Sequence, residues 1–253
     1  QEEMEKEGRA SFPVVLRDYM TDTYYNGVFD PNLNQFCDDF PLNPASQSSL
    51  EGFMRSHGRS KPDFVPDAKV VFDPASTETA VNLTNVPYFI NMFRKSEYLL
   101  SSREHESLSM GDAHKIADSC PLIYKLIRHI LGGENLEVEH FTNWLAYIFQ
   151  TRKKAMTAWV LQGVPGTGKG IFYTKVLRPL FGNEHVPMRA LQNIEEQFNL
   201  YMRQALFLVV DEFHMASANS GTMKIADKLK NAITENTMTI RAMRSNQVEL
   251  PNY

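Results

Sequence analysis

Apolar residues recur at helical spacing in two neighbouring stretches of this chain, and those stretches set its expected frame. From Cys120 to Leu131 the residues Leu122, Ile123, Leu126, Ile127 and Ile130 fall on one face, and Gly132 and Gly133 supply a stop, which predicts an amphipathic helix. A second helix is expected from Val138 to Gln150, where Phe141, Trp144, Leu145, Ile148 and Phe149 repeat the spacing before the polar break Thr151 to Lys154. Two β-rich apolar runs follow. Ala158 to Gln162 reads as a short buried strand, and Leu206 to Val210 as a strand buried on both faces of a parallel sheet. Helical patterns are also expected over Ile171 to Phe181 and Thr222 to Thr234. Thr237 to Met243 and Val248 to Leu250 read as strands joined by the turn Arg244 to Gln247, a hairpin with Arg244 at its tip.

The N-terminal half carries weaker patterns. Pro31 to Pro74 is rich in Pro, Asn, Ser and Asp, and the X-Pro pairs at Asn43, Lys61, Val65 and Asp73 disfavour long regular elements. A loop-rich segment is expected there, with one short helix near Ser48 to Arg55. Val70 to Phe72 and Thr79 to Leu83 flank a turn-prone stretch and predict a small β-hairpin. The expected fold class is α/β: a parallel sheet over about 138–253, preceded by a helical, loop-rich N-terminal region. The corresponding segments are 1–119, 120–151 and 152–253. No internal repeat marks a solenoid.

A length of 253 residues bounds the chain to between one and two domains at roughly 150 residues each. With 43% hydrophobic and 22% charged residues it should fold as a globular protein, which excludes wholesale disorder. The longest strong apolar run, Ala205 to Val210, is far short of the roughly 20 residues of a membrane helix. Gln1 to Glu7 is acidic without an apolar stretch, so no signal peptide is expected; the segment is expected to be cut from a longer, cytoplasmic protein. Cys37 and Cys120 stand alone and the His are scattered, so no protein-ligated metal centre is expected. The net charge of −4 conceals an asymmetry: up to residue 151 there are 13 basic against 22 acidic residues, and beyond it 13 against 8. A positive C-terminal part points to a polyanionic partner, although a solvated face gives the same count.

The run Ala158 to Gln162 leads straight into Gly163, Val164, Pro165, Gly166, Thr167, Gly168, Lys169 and Gly170, and then into a helical pattern. Strand, glycine loop, lysine and helix together make the context of a phosphate-binding loop. The glycines let backbone N–H groups wrap around phosphate oxygens, Lys169 reaches the β and γ phosphates, and the helix adds its positive dipole end. The pattern departs at Gly170, where Ser or Thr would normally offer a hydroxyl to Mg²⁺; a water, or the hydroxyl of Thr167 or Thr174, is left to approach, and neither threonine occupies the usual position. About 40 residues further on, the run Leu206 to Val210 ends in Asp211 and Glu212. An acid at the C-terminal end of such a strand lies beside the phosphate loop, so Asp211 is expected to hold Mg²⁺ and Glu212 to polarise the attacking water. Lys224, Lys228, Lys230, Arg241 and Arg244 then supply cations, for which a solvated face is the plainer reading.

In order, Gly163 to Gly170, Phe198 with Asn199, Leu206 to Glu212, and Leu229 to Arg241 resemble the motifs of superfamily III helicases, AAA+ replication ATPases of phages, viruses and plasmids. With the Cys-Pro and Trp-Leu-Ala helices before the loop, the layout is similar to the helicase half of phage primase-helicases and primase-polymerases. The resemblance covers about Cys120 to Tyr253. It implies a hexameric ring that uses ATP and Mg²⁺ to move along single-stranded DNA, in a parent chain that also carries a primase. By motif, Lys169, Asp211 and Glu212 would serve ATP hydrolysis, and Lys230, Arg241 and Arg244 would meet DNA. The family's sensor strand and arginine finger would lie past Tyr253, so the isolated chain is expected to bind nucleotide weakly and turn it over near background. The same loop also serves nucleotide-binding switches, packaging-type ATPases and non-hydrolysing scaffolds, and the residues leave these alternatives open.

Overall fold

In this computed structural model the residues described are 10–76, 81–84, 86–101, 116–195, 199–211, 220–241 and 247–253, with backbone alone at 192, 195 and 220–224. The chain divides into two compact units, Gln1–Phe93 with Arg244–Val248, and Arg94–Met243 with Glu249–Tyr253. The fold is mixed α/β.

The first unit is built on a seven-stranded sheet. Its strands are β1 (Phe12–Asp18), β2 (Thr23–Asp30), β3 (Gln35–Phe36), β4 (Asn43–Ala45), β5 (Asp67–Val71), β6 (Val81–Asn82) and β7 (Tyr88–Asn91), with helix α1 (Leu50–Ser56) before β5. The order is β3-β2-β1-β5-β7-β6, with β4 on β2. β1 and β2 are antiparallel; β5 runs parallel to β1 and β7.

This sheet corrects the expectation of a loop-rich N-terminal region. Val14 and Leu16 of β1 enter one apolar cluster while Val15 enters another with Leu50 and Met54 of α1. Burial on both faces erases the alternation by which a strand is recognised. β2 gives no clear signal either, because Asn26 and Gly27, residue types common in turns, lie within the strand. Glycine is needed there by close packing: a Cβ on Gly27 would sit 2.8 Å from the Phe36 ring and 3.1 Å from Leu42 Cα. The expected hairpin between 70–72 and 79–83 is also corrected. β6 pairs antiparallel with β7, which stands between it and β5. Three short strands of similar propensity do not announce their partners. The expected helix near 48–55 is present as α1.

The second unit contains α2 (Glu97–Ser101), α3 (Ile116–Ser119), α4 (Pro121–Ile130), α5 (Asn135–Thr151), α6 (Lys169–Phe172), α7 (Arg178–Phe181), β8 (Met188–Ala190), α8 (Leu191–Glu195), β9 (Val209–Asp211), α9 (Ser220–Thr234), β10 (Thr237–Ile240) and, from Glu249 on, β11 (Val248–Pro251). α4 and α5 match the two helices expected from their apolar spacing. On α5, Val138, Phe141, Leu145 and Ile148 are buried with Ile127 of α4 and with Phe172, Leu177, Phe181 and Phe207. A single π turn, Tyr173–Leu177, joins α6 to α7. Pro179 explains it: lacking an N–H, it cannot continue an i to i−4 ladder, and the Arg178 amide bonds instead to the Tyr173 carbonyl. β8 and β9 are parallel, while β10 and β11 form a two-stranded sheet where a hairpin is expected.

The expected strand Ala158 to Gln162 is corrected. That stretch has no paired strand: Trp159 faces the aromatic cluster, 5.0 Å from the Phe141 ring centre, while Val160 is 82% exposed. One-sided burial anchors the segment without making it a two-faced core strand. The strand expected at 206–210 is shorter and shifted, comprising Val209–Asp211 on β8. Leu206 and Phe207 donate their amides to the His185 carbonyl at 2.8 and 3.1 Å, so the first half of the run is spent outside a ladder. Among the described residues, parallel pairing within 138–253 is confined to β8 and β9.

Candidate functional site

The glycine loop runs from the Trp159 anchor to the start of α6. The Trp144 indole N–H donates to the Thr157 hydroxyl at 3.0 Å, fixing the approach to the loop against α5. Gly166 and Gly168 take φ of +84° and +91°, which L side chains rarely adopt. A Cβ on Gly166 or Gly170 would meet no atom within 4 Å, so neighbouring protein atoms do not cover the loop backbone there. Gly168 is constrained on its other side, where a Cβ would come 2.8 Å from Leu126 Cδ1 of α4. Gly168→Ala is therefore expected to cost about 1 kcal/mol or more through the left-handed backbone alone, and to weaken phosphate binding in parallel. Urea melts and nucleotide titration of the same variant check this; an unchanged midpoint together with unchanged binding would contradict it.

Lys169 opens α6 with its ammonium turned onto its own loop. Nζ donates to the Gly163 and Val164 carbonyls, both at 3.1 Å, and to the Thr167 hydroxyl at 3.0 Å. Thr167 in turn donates to the Val164 carbonyl at 3.1 Å. The lysine is thus held at the mouth of the loop by neutral acceptors, which a phosphate oxygen can outcompete because a charge-assisted contact to an anion is stronger. The hydroxyl of Thr174, the other group near Gly170, donates to the Gly170 carbonyl at 2.9 Å, a helical back-bond that occupies its proton.

Asp211 stands exposed at the C-terminal end of β9, opposite Ala190 of β8. Glu212 and Arg244 lie outside the described residues. On α9 Lys230 is exposed, whereas Lys228 donates to the Ile194 carbonyl at 2.9 Å and so ties α9 to α8. Arg241, half-buried, follows β10 directly. Its backbone is gripped by Asn199: the Arg241 N–H donates to Asn199 Oδ1 at 2.8 Å and the Asn199 N–H donates to the Arg241 carbonyl at 3.1 Å.

Two arrangements escaped residue-level reading. The C-terminal carbonyls of α9 are capped from afar, since Asn252 Nδ2 donates to Ala232 and Glu235 and Lys154 Nζ donates to Glu235. Partial burial lowers the Lys154 pKa, with the nearby Glu235 carboxylate opposing the shift. His185, fully buried, accepts the Arg94 N–H on Nε2 at 3.0 Å. Nδ1 must then carry the proton, and it donates to the Gln204 carbonyl at 2.9 Å. Neither has a local sequence signal, because both depend on contacts across many residues.

A family of unknown function, DUF5906, matches residues 161–253, the part that holds the glycine loop, β9 and the β10–β11 pair. Among individual proteins, the chain is 32% identical over 133 residues to the DNA primase-polymerase of Nitratiruptor phage NrS-1, covering 52% of this chain and 18% of that protein. The fold is similar to the apo structure of the NrS-1 C-terminal region, with a TM-score of 0.70 at 22% identity over 95% of this chain and 52% of the other. An A-form apo structure of that region gives 0.67 over the same shares. The chain therefore spans about half of the solved relatives and less than a fifth of the curated one. No helix among the described residues is long and apolar enough to cross a membrane.

Proposed function

We propose that this chain is the nucleotide-binding part of a phage-type replication protein, an ATP-dependent helicase that couples hydrolysis to movement on single-stranded DNA. The observation that carries the reading is the loop Gly163 to Gly170, where two left-handed glycines and a turned-in Lys169 stand at the start of a helix. The similarity to a phage DNA primase-polymerase supports a role in replication, with a primase in the same parent chain. In this reading the core is a P-loop AAA+ ATPase. Lys169 and the loop amides hold the β and γ phosphates, Asp211 receives Mg²⁺, and Glu212 orients the attacking water. The hexameric ring and the cytoplasmic setting belong to the same proposal.

Mg²⁺ fits the site less well than phosphate does. Gly170 offers no hydroxyl at the position where the loop pattern places a ligand for Mg²⁺. That observation favours a second reading, a nucleotide-binding scaffold or switch that does not hydrolyse. Titrating a fluorescent ATP analogue with and without Mg²⁺ separates the two. The helicase reading expects Mg²⁺ to tighten binding and the parent protein to show ATPase activity stimulated by single-stranded DNA. Binding indifferent to Mg²⁺, with no stimulation, moves the conclusion to the scaffold.

DNA contact is assigned to Lys230, Arg241 and Arg244, through phosphates and not base edges, because a translocating motor must accept any sequence. Affinity for oligo(dT) should fall with salt, and Arg241→Ala should reduce the logarithmic salt slope by about 0.7, the value of one single-strand phosphate contact. Parallel slopes for variant and wild type would remove Arg241 from the interface.

A further inference from the structure

We infer that Asn199 is a positioning residue that couples the nucleotide side of the second unit to the strand that leads into Arg241. Three hydrogen bonds join this one residue to β10 and its end: the two to Arg241 already described, and Asn199 Nδ2 donating to the Thr239 carbonyl at 2.8 Å. The orientation of the amide is fixed by its surroundings, since the Arg241 N–H requires an oxygen and the Thr239 carbonyl a nitrogen. Thr239 and Arg241 are two residues apart, so their backbone groups lie along the same edge of the strand. Asn199 therefore covers that edge as a neighbouring strand would, using a side chain in place of a ladder.

The other end of the connection is β9. From Asn199 the chain is tied turn by turn, Met202 N–H to the Asn199 carbonyl at 2.9 Å, Arg203 to Leu200 at 3.0 Å, and Ala205 to Met202 at 3.3 Å. Leu206 and Phe207 are then fixed to the His185 carbonyl, and β9 runs on to Asp211. A side contact stiffens the same stretch, with the Arg189 guanidinium of β8 lying 4.6 Å from the Tyr201 ring centre. Between Asp211 and Arg241 there is thus a short, hydrogen-bonded lever with Asn199 at its far end. A displacement of β9 on nucleotide binding is transmitted to β10 because Asn199 grips β10 at two residues, which resists sliding as well as separation.

The inference rests on the proposed function in one respect, that β9 and the glycine loop share a nucleotide. Hydrogen exchange on this chain, read in peptides covering 237–241 and 247–251 with and without ATPγS, tests it, with binding measured separately by titration. In the wild type ATPγS should change exchange in both peptides. Asn199→Ala should abolish that change, leave ATPγS affinity within about twofold, and weaken oligo(dT) binding about threefold to tenfold, the worth of the lost hydrogen bonds. Asn199→Asp keeps the acceptor for Arg241 and loses the donor to Thr239, so it should fall between the two, and it serves if the alanine variant does not fold. ATPγS binding without any effect on these peptides, or an effect that survives both substitutions, overturns the inference and leaves the nucleotide reading intact. Absence of ATPγS binding by the wild type overturns both.

Discussion

Lys169→Ala is expected to weaken binding of a nucleoside triphosphate about 10- to 100-fold while leaving the fold undisturbed. The magnitude follows from deleting a charge-assisted contact to phosphate, worth about 1.5–3 kcal/mol. The fold should survive because the bonds that the ammonium makes to Gly163, Val164 and Thr167 are largely solvent-accessible and hold only the loop itself. Titration with a fluorescent ATP analogue, alongside a thermal melt, separates the two effects. Lys169→Arg is the informative companion: it keeps the charge but brings a wider, planar head into a space shaped by two carbonyls and a hydroxyl, so it should recover only part of the affinity. Unchanged binding by the alanine variant would mean that phosphate is not held at this loop.

What could be read from the sequence divides along physical lines. α4, α5 and α9 were legible because a helix repays its hydrogen bonds locally and shows its buried face every three or four residues, as Phe141, Leu145 and Ile148 do. The tight backbone at Gly166 and Gly168 was legible because only glycine takes such positive φ readily. Strands were not, since their pairing is decided by segments far away. Val14, Val15 and Leu16 show no alternation when both faces are covered, and Met188 to Ala190 has no apolar run at all yet pairs with Val209 to Asp211. The run at 158–162 failed in the opposite sense: it has the composition of a core strand, but only Trp159 and Leu161 turn inward while Val160 faces solvent. Asn199 was visible as part of a motif, and its grip on β10 was not.

His185 had no sequence signal, yet it carries the largest expected effect on stability. Its ring is wholly buried and bonded on both nitrogens as the neutral Nδ1–H tautomer, and its carbonyl receives the amides of Leu206 and Phe207 ahead of β9. Burial pushes its pKa below the ordinary histidine value, with the Glu184 carboxylate, 3.9 Å away, opposing that shift. A proton on Nε2 would also face the Arg94 N–H, donor against donor. The sign follows from proton counting: near and below the unfolded pKa of about 6.5 the unfolded chain binds the proton more readily than the folded one, so stability rises with pH there. This contribution is complete above about pH 6.5 and is lost as pH falls through the depressed folded value. His185→Leu removes the titration together with both bonds of the ring, to the part-buried Arg94 N–H and Gln204 carbonyl, at about 1–3 kcal/mol each. The variant should be destabilised by about 2–6 kcal/mol at pH 7.5 and should lose less stability than the wild type between pH 7.5 and pH 5. Urea melts at the two pH values give that double difference, in which the other titrating groups cancel. An equal loss in both proteins would show that His185 is not the residue through which acid loosens the second unit.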